Sequence, residues 1–203
     1  MTASKTKLLS KARERFLIEG FYKISMDELS SDLKMSKKTI YSIFPSKNEL
    51  VREIALNFMN SNFQMLEKIV SGKGNAIEKL TRIMSHFALI SSQISTNFLK
   101  DLQTHMEEVW IEVESFRSVK LNDLMTKIIL QGQKEKLFKL YPPELLILLF
   151  VRSISAMVTP ATIIKFGYSL DKIVQLTVDV LLNGIATEKG AKVFNIHKES
   201  VKL

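Results

Sequence analysis

Three helix-start signals packed into residues 25–50 constrain this chain more than any other feature. Ser25-Met26-Asp27-Glu28 has capping-box spacing: the serine hydroxyl can accept from the backbone N–H three residues on, while Glu28 reaches back to the cap. Met26, Leu29 and Leu33 then share one helical face. Ser36 is a second N-cap, opening a short helix through Phe44 with Ile40, Ile43 and Phe44 turned inward. Pro45 stops that helix, and Ser46-Lys47-Asn48-Glu49 starts the next. Two short helices joined by a tight turn, with Lys37, Lys38, Thr39, Tyr41 and Ser42 outward on the second, predict a helix-turn-helix over about 25–44.

The charge balance agrees with an anionic partner. The chain carries a formal net charge of +8 over 203 residues, and residues 1–50 hold ten Lys/Arg against six Asp/Glu, so half of the excess lies in a quarter of the length. That charge alone suits nucleic acid or an anionic membrane surface equally. There is no cysteine, which excludes a disulfide framework, a thiolate metal site and a catalytic thiol. Residues Met1 to Lys11 are polar and basic, unlike a signal peptide, and no apolar run reaches spanning length, so a cytoplasmic protein with no membrane partner is expected. His86 and His105 lie 19 residues apart without ligand spacing, Gly-x-Ser-x-Gly is absent, and no glycine loop could cradle a phosphate. No metal, no cofactor and no enzymatic activity are predicted.

Seven glycines, four prolines and no sustained period-2 alternation predict an all-α fold of about nine helices. The first runs from about Thr6 to Glu19, with Leu9, Ala12 and Phe16 on one face and Gly20 as its stop. A fourth helix, from Lys47 to Ser71, carries the chain out of an N-terminal unit, 1–62, into a second, 63–203. Ser71–Asn75 is a break, followed by a helix to about Ser95. Apolar periodicity continues from Phe98 to Leu137, with Gly132 as an end or bend. Pro142-Pro143-Glu144 opens a strongly apolar helix to about Phe166 that Pro160 should kink. The last long helix spans about Ser169 to Ala186, and 188–203 read as a loose basic tail.

Residues from about Lys7 to Phe58 resemble the tetracycline-repressor (TetR) family of bacterial one-component regulators. The carrying residues are Phe16-Leu17-Ile18-Glu19-Gly20-Phe21, then Ser25-Met26-Asp27-Glu28-Leu29, and above all the long run from Ser36-Lys37-Lys38-Thr39-Ile40-Tyr41 to Lys47-Asn48-Glu49-Leu50. The resemblance implies an N-terminal three-helix DNA-binding domain, a C-terminal helical bundle, a homodimer on a palindromic operator in double-stranded DNA, and a repressor released by an inducer. By motif position Ser25 contacts a phosphate, and Ser36 belongs to the same DNA-binding set. Lys37, Lys38, Thr39 and Ser42 face the groove, while Tyr41 and Lys47 contact phosphates. Hydroxyls and helix N-termini suit phosphates, and lysine can read guanine. Two positions depart from the family: Lys34, where members usually carry glycine in the turn, and Lys38, where they often do. A left-handed Lys34 would cost on the order of 1 kcal/mol.

Large apolar residues of the second half, Phe63, Met84, Phe87, Met106, Trp110, Met125 and Phe150, are candidates for a pocket taking an apolar or aromatic inducer, and serve equally well as plain core. The helices at about 144–166 and 169–186 are apolar on most sides, so their surplus faces, with Leu145, Leu149, Ile173, Leu176 and Val180, are expected to form a four-helix dimer interface. Two alternatives remain: a DNA-binding regulator without an inducer pocket, and a basic helical protein that binds membranes or acidic proteins.

Overall fold

A computed structural model describes the backbone of residues 3–200 and the side chains of 3–196. Among these the chain is helical throughout, in order α1 (Ala3–Glu19), α2 (Met26–Leu33), α3 (Lys37–Ile43), α4 (Lys47–Ser71), α5 (Ala76–Gln93), α6 (Thr96–His105), α7 (Glu107–Lys134), α8 (Pro143–Met157), α9 (Pro160–Phe166), α10 (Leu170–Ile185) and α11 (Glu188–Ser200). No strand forms among the described residues, where an isolated bridge pairs Phe138 with Ala186. The all-α expectation holds, with eleven helices in place of about nine.

The extra helices have identifiable causes. The stretch expected as continuous from Phe98 breaks at Met106, whose backbone (φ −143°, ψ 57°) leaves the helical region. Pro160 does more than kink: α8 and α9 are separate and bent by 67°, with Thr159 capping α9 by accepting from Thr162 N at 3.2 Å. Residues 188–200, expected as a loose tail, form α11, while 201–203 lie outside the described residues. Thr187 Oγ1 starts α11 by accepting from Gly190 N at 3.1 Å while donating to Lys136 O at 2.9 Å. Among the described residues no single helix is long and apolar enough to cross a membrane.

Two compact units emerge. The first runs through Ser61 and adds Ser92–Val113; the second holds Asn62–Ser91 and the chain from Glu114 onward. The expected boundary at 62–63 thus falls beside a crossover inside α4, and a second segment returns to the first unit. That unit is built on Leu8, Ala12, Phe16 and Leu17 of α1, Met26, Leu29 and Leu33 of α2, Ile40 of α3, Leu50, Ile54 and Phe58 of α4, and Phe98 and Leu102 of α6. Leu8, and not the expected Leu9, is the buried leucine at the start of α1.

In the second unit Phe63, Ile77, Leu80, Leu124, Ile128, Phe150, Val174 and Leu182 are buried. Ile173, expected at a dimer interface, is one of these core residues: α10 turns it inward beside Val174, so it is not available to a partner. Arg117 donates Nη1 to Val158 O at 3.2 Å and Nη2 to Glu114 at 2.5 Å, setting a cation at the carbonyl end of α8. Burial pushes its guanidinium below its ordinary value and the Glu114 carboxyl above its own, although the two attract.

α7 runs two residues past Gly132 to Lys134 before Lys136 turns left-handed at φ 59°. The role of Gly132 is steric: a Cβ there would lie 2.1 Å from the Phe138 ring. Gly132→Ala should therefore destabilise the protein although alanine is the better helix former. Overpacking of about 1–3 kcal/mol outweighs a propensity gain of roughly 1 kcal/mol. Urea denaturation of Gly132→Ala and of Gly132→Ala/Phe138→Leu checks this, because the second change should return most of the loss.

Candidate nucleic-acid interface

Caps written into the sequence fix the helix-turn-helix. Ser25 Oγ accepts from Glu28 N at 3.1 Å, and Glu28 Oε2 accepts from Ser25 N at 2.5 Å and Ser25 Oγ at 3.1 Å, completing the box that starts α2. These bonds hold the Glu28 carboxyl below its ordinary range, the backbone N–H contributing most. At the far end Lys34 is left-handed (φ 52°, ψ 42°), as a turn built without glycine requires. Met35 N donates to Ser30 O at 3.1 Å, and Ser30 Oγ to Met35 O at 2.5 Å, closing the turn. Ser36 then caps α3 by accepting from Thr39 N at 3.1 Å.

α3 is short and two-faced. Ile40 is fully buried and Phe44 nearly so, whereas Ile43 is half-buried. Lys37, Lys38, Tyr41 and Ser42 of α3 are exposed and Thr39 is half-buried, while Ser25 and Ser36 are exposed at the helix starts. Several of these groups already have partners. Lys37 Nζ pairs with Asp27 at 2.6 Å, Ser42 Oγ donates to Thr39 O at 2.8 Å, and the Thr39 and Ser36 hydroxyls share a 2.8 Å hydrogen bond. Lys47 lies back on its own unit, donating to Tyr22 O at 3.0 Å with its ammonium 5.8 Å from the Phe21 ring centroid. Desolvation holds that ammonium below its ordinary value.

A clamp that the sequence did not announce sits behind this surface. Asp101 of α6 accepts from Phe21 N and Tyr22 N, each at 2.8 Å, and Ser95 N donates to Leu17 O at 2.7 Å. Tyr22 stacks on His105 with ring centroids 3.8 Å apart, and Phe21 meets Phe98 edge-on at 5.9 Å. Gly20 serves twice: its φ of 85° favours glycine, and a Cβ would lie 2.7 Å from Asp101 Oδ2. The one available signal was that Asp101 is the sole acid between Ser92 and His105.

The expected pocket residues do not all come together. Phe63, Met84, Phe87, Met125 and Phe150 lie in the second unit, whereas Met106 and Trp110 belong to the first. Phe63 meets Phe116 edge-on at 5.8 Å, and Met84 packs with Val174 and Val178 beside Phe87 and Val158. An open cleft of about 530 Å³ lies elsewhere, between Ser118, Asn122 and Thr126 of α7 and Ile147, Val151 and Arg152 of α8. None of the seven lines it. Among the described residues no cluster of His, Asp and Glu could hold a metal ion.

Residues 8–54 match the family described as bacterial regulatory proteins, tetR family. The chain is 21% identical over 178 residues to the HTH-type transcriptional regulator YvaF of Bacillus subtilis (strain 168), covering 87% of this chain and 93% of that one. It is similar in fold to a transcriptional regulator from Cytophaga hutchinsonii ATCC 33406, at a TM-score of 0.72 and 22% identity over 92% of this chain and 100% of the other. A transcriptional regulator from Saccharomonospora viridis, solved in complex with choline, matches at a TM-score of 0.68 and 16% identity over 93% and 100% of the two chains.

The Glu28 cap gives a pH dependence with a definite sign. A carboxyl whose folded pKa is lowered stabilises fully above its unfolded pKa, and that stability is lost as pH falls through the folded value. Glu28→Gln removes this contribution. The thermal midpoints of wild type and variant should therefore differ near neutrality and converge between about pH 5 and pH 3. A constant gap over that range would refute the assignment.

Proposed function

We propose that this chain, a member of the tetR family of bacterial regulatory proteins, is a homodimeric, sequence-specific DNA-binding repressor that a small molecule releases. The observation that carries the reading is the α2–turn–α3 unit. It presents Lys38, Tyr41 and Ser42 to solvent around a fully buried Ile40, so the recognition helix is anchored by one face and free on the other. On double-stranded DNA, Lys37, Lys38, Thr39 and Ser42 face the major groove. Ser25 and Ser36 at the helix starts, with Tyr41 and Lys47, hold phosphates. Lys47 has to exchange the Tyr22 carbonyl for a phosphate oxygen, regaining a stronger, charge-assisted bond. Bound in the cytoplasm across a promoter, such a dimer represses by occupying the site.

The dimer forms through α8 and α10. Leu145, Leu149, Leu176 and Val180 are exposed there, Val180 at 71%, an apolar surface that a lone protomer leaves wet. A two-fold axis between such faces sets two recognition helices on a palindrome with half-sites about 34–36 Å apart. The inducer site draws on Phe63, Met84, Phe87, Met125 and Phe150, whose aromatic and thioether groups suit an apolar or aromatic ligand. The Saccharomonospora viridis regulator, solved in complex with choline, supports a small-molecule ligand for this chain. Genomic selection of bound fragments followed by footprinting tests the whole reading. A protected palindrome is expected, and binding without sequence preference would overturn it.

Replacing both Leu176 and Val180 with Glu should separate the subunits, because unpaired charges buried in an interface cost several kcal/mol. Sedimentation should then show monomers, and operator binding should vanish although α3 is untouched. At the recognition helix, Lys38→Ala should cost about 1–3 kcal/mol more on the operator than on random DNA if it reads a base. Lys37→Ala should cost less, since Lys37 must first give up its exposed ion pair with Asp27. Anisotropy titrations against both duplexes rank the two; equal losses on the two DNAs would remove both lysines from base readout.

A further inference from the structure

Of the three cations of the helix-turn-helix, Lys34 is the one that neither pairs with a carboxylate nor stands on α3. Its backbone lies in the left-handed region, where an L-residue with a Cβ is strained and glycine is not. The backbone work at this corner, Lys34 N donating to Ser31 O at 3.1 Å, needs no side chain. The side chain is exposed, and its ammonium makes no ion pair or hydrogen bond among the described residues. Strain that nothing local repays points to a task outside the chain.

The neighbouring cations sharpen the case, because most are already engaged within the first unit. Lys5 pairs with Glu53 at 2.9 Å, Lys11 with Glu14 at 3.1 Å, Arg15 with Glu19 and Asp32 at 2.9 Å each, and Lys37 with Asp27 at 2.6 Å. Lys7 donates to Leu33 O at 3.2 Å and Lys47 to Tyr22 O at 3.0 Å. Lys34 and Lys38 keep theirs free, and they flank the start of α3, one two residues before the Ser36 cap and one two residues after it. That end of a recognition helix enters the groove, so a residue on the turn just outside it meets the phosphates at the rim. A flexible ammonium is suited to a phosphate as a point charge.

We propose that Lys34 is a phosphate anchor: its ammonium binds a backbone phosphate of duplex DNA beside the groove that α3 enters, a contact that glycine in the turn could not make. The proposal rests on the DNA-binding reading above. It is tested with the full chain and the variants Lys34→Gly, Lys34→Gln and Lys34→Arg. Each is titrated by anisotropy against a duplex selected from a random library by the wild type, and against an unrelated duplex of equal length, over about 0.05–0.3 M salt.

The glycine and glutamine variants should bind both duplexes about fivefold more weakly near 0.15 M salt, with a salt slope smaller by about one. The arginine variant should keep the wild-type slope. The thermal midpoint of Lys34→Gly should not fall, because glycine relieves the turn. That separates a lost contact from a lost fold. Wild-type affinity and slope in both the glycine and the glutamine variants would overturn the anchor, as would a loss confined to the selected duplex. A wild type that shows no salt-dependent binding to either duplex would overturn the DNA-binding reading, and the anchor with it.

Discussion

One carboxylate organises the first unit. Asp101 takes the two adjacent backbone N–H groups, Phe21 and Tyr22, that the chain exposes as it leaves α1. Left unpaired in a partly buried corner, such donors would cost about 1–3 kcal/mol each. Satisfied by an anion, they hold the chain in the turn that delivers Ser25 to the start of α2. Beside the bond lie the ring contacts of Phe21 with Phe16 and Phe98 and the Tyr22–His105 stack, which hold the same corner by packing. The ammonium of Lys47 is attracted to the same carboxylate, which ties the start of α4 to the corner. The entry to α2 thus depends on Asp101, which lies 80 positions along the chain from Phe21.

Much of the fold was legible because it is set by neighbours. The caps at Ser25 and Ser36 follow from side chains three residues from the backbone groups they serve, and spacing alone reveals them, whereas the left-handed Lys34 was implied only by the family resemblance. The same holds for α8, where paired prolines and Glu144 mark the first turn. What stayed hidden involves backbone partners at long range. Asp101 meets main-chain N–H groups, which no side-chain pattern encodes. α11 is anchored through Thr187 and by close approach to the Leu137 carbonyl, 2.1 Å from where a Gly190 Cβ would stand. The break at Met106 was masked because Leu102, Met106, Val109 and Val113 keep a helical apolar rhythm across it.

The candidate site shows the same division. Which residues of α3 face outward could be read from Ile40 and Phe44 facing in. Which of them are free could not, since the Lys37–Asp27 pair joins two helices across the turn. For the residues expected to line a pocket, sequence leaves core and cavity undivided. An aromatic or methionine at helical spacing fills a core or lines a cavity by the same pattern, and here Met106 and Trp110 fold with a different unit from the other five.

The engaged cations separate the charge counted in the sequence from the charge a partner meets. Of the ten Lys and Arg in residues 1–50, Lys5, Lys11, Arg15 and Lys37 face carboxylates of their own unit. For a protein that reads DNA, this thins the sequence-independent attraction, and at Lys37 it also engages a side chain of α3 itself. Each phosphate neutralised contributes roughly one power of salt concentration to that attraction. Internal pairing therefore shortens the time spent on wrong sites. The gain appears in the kinetics of the search: a regulator with fewer free cations hops between segments sooner and samples more of the chromosome per unit time before it stops.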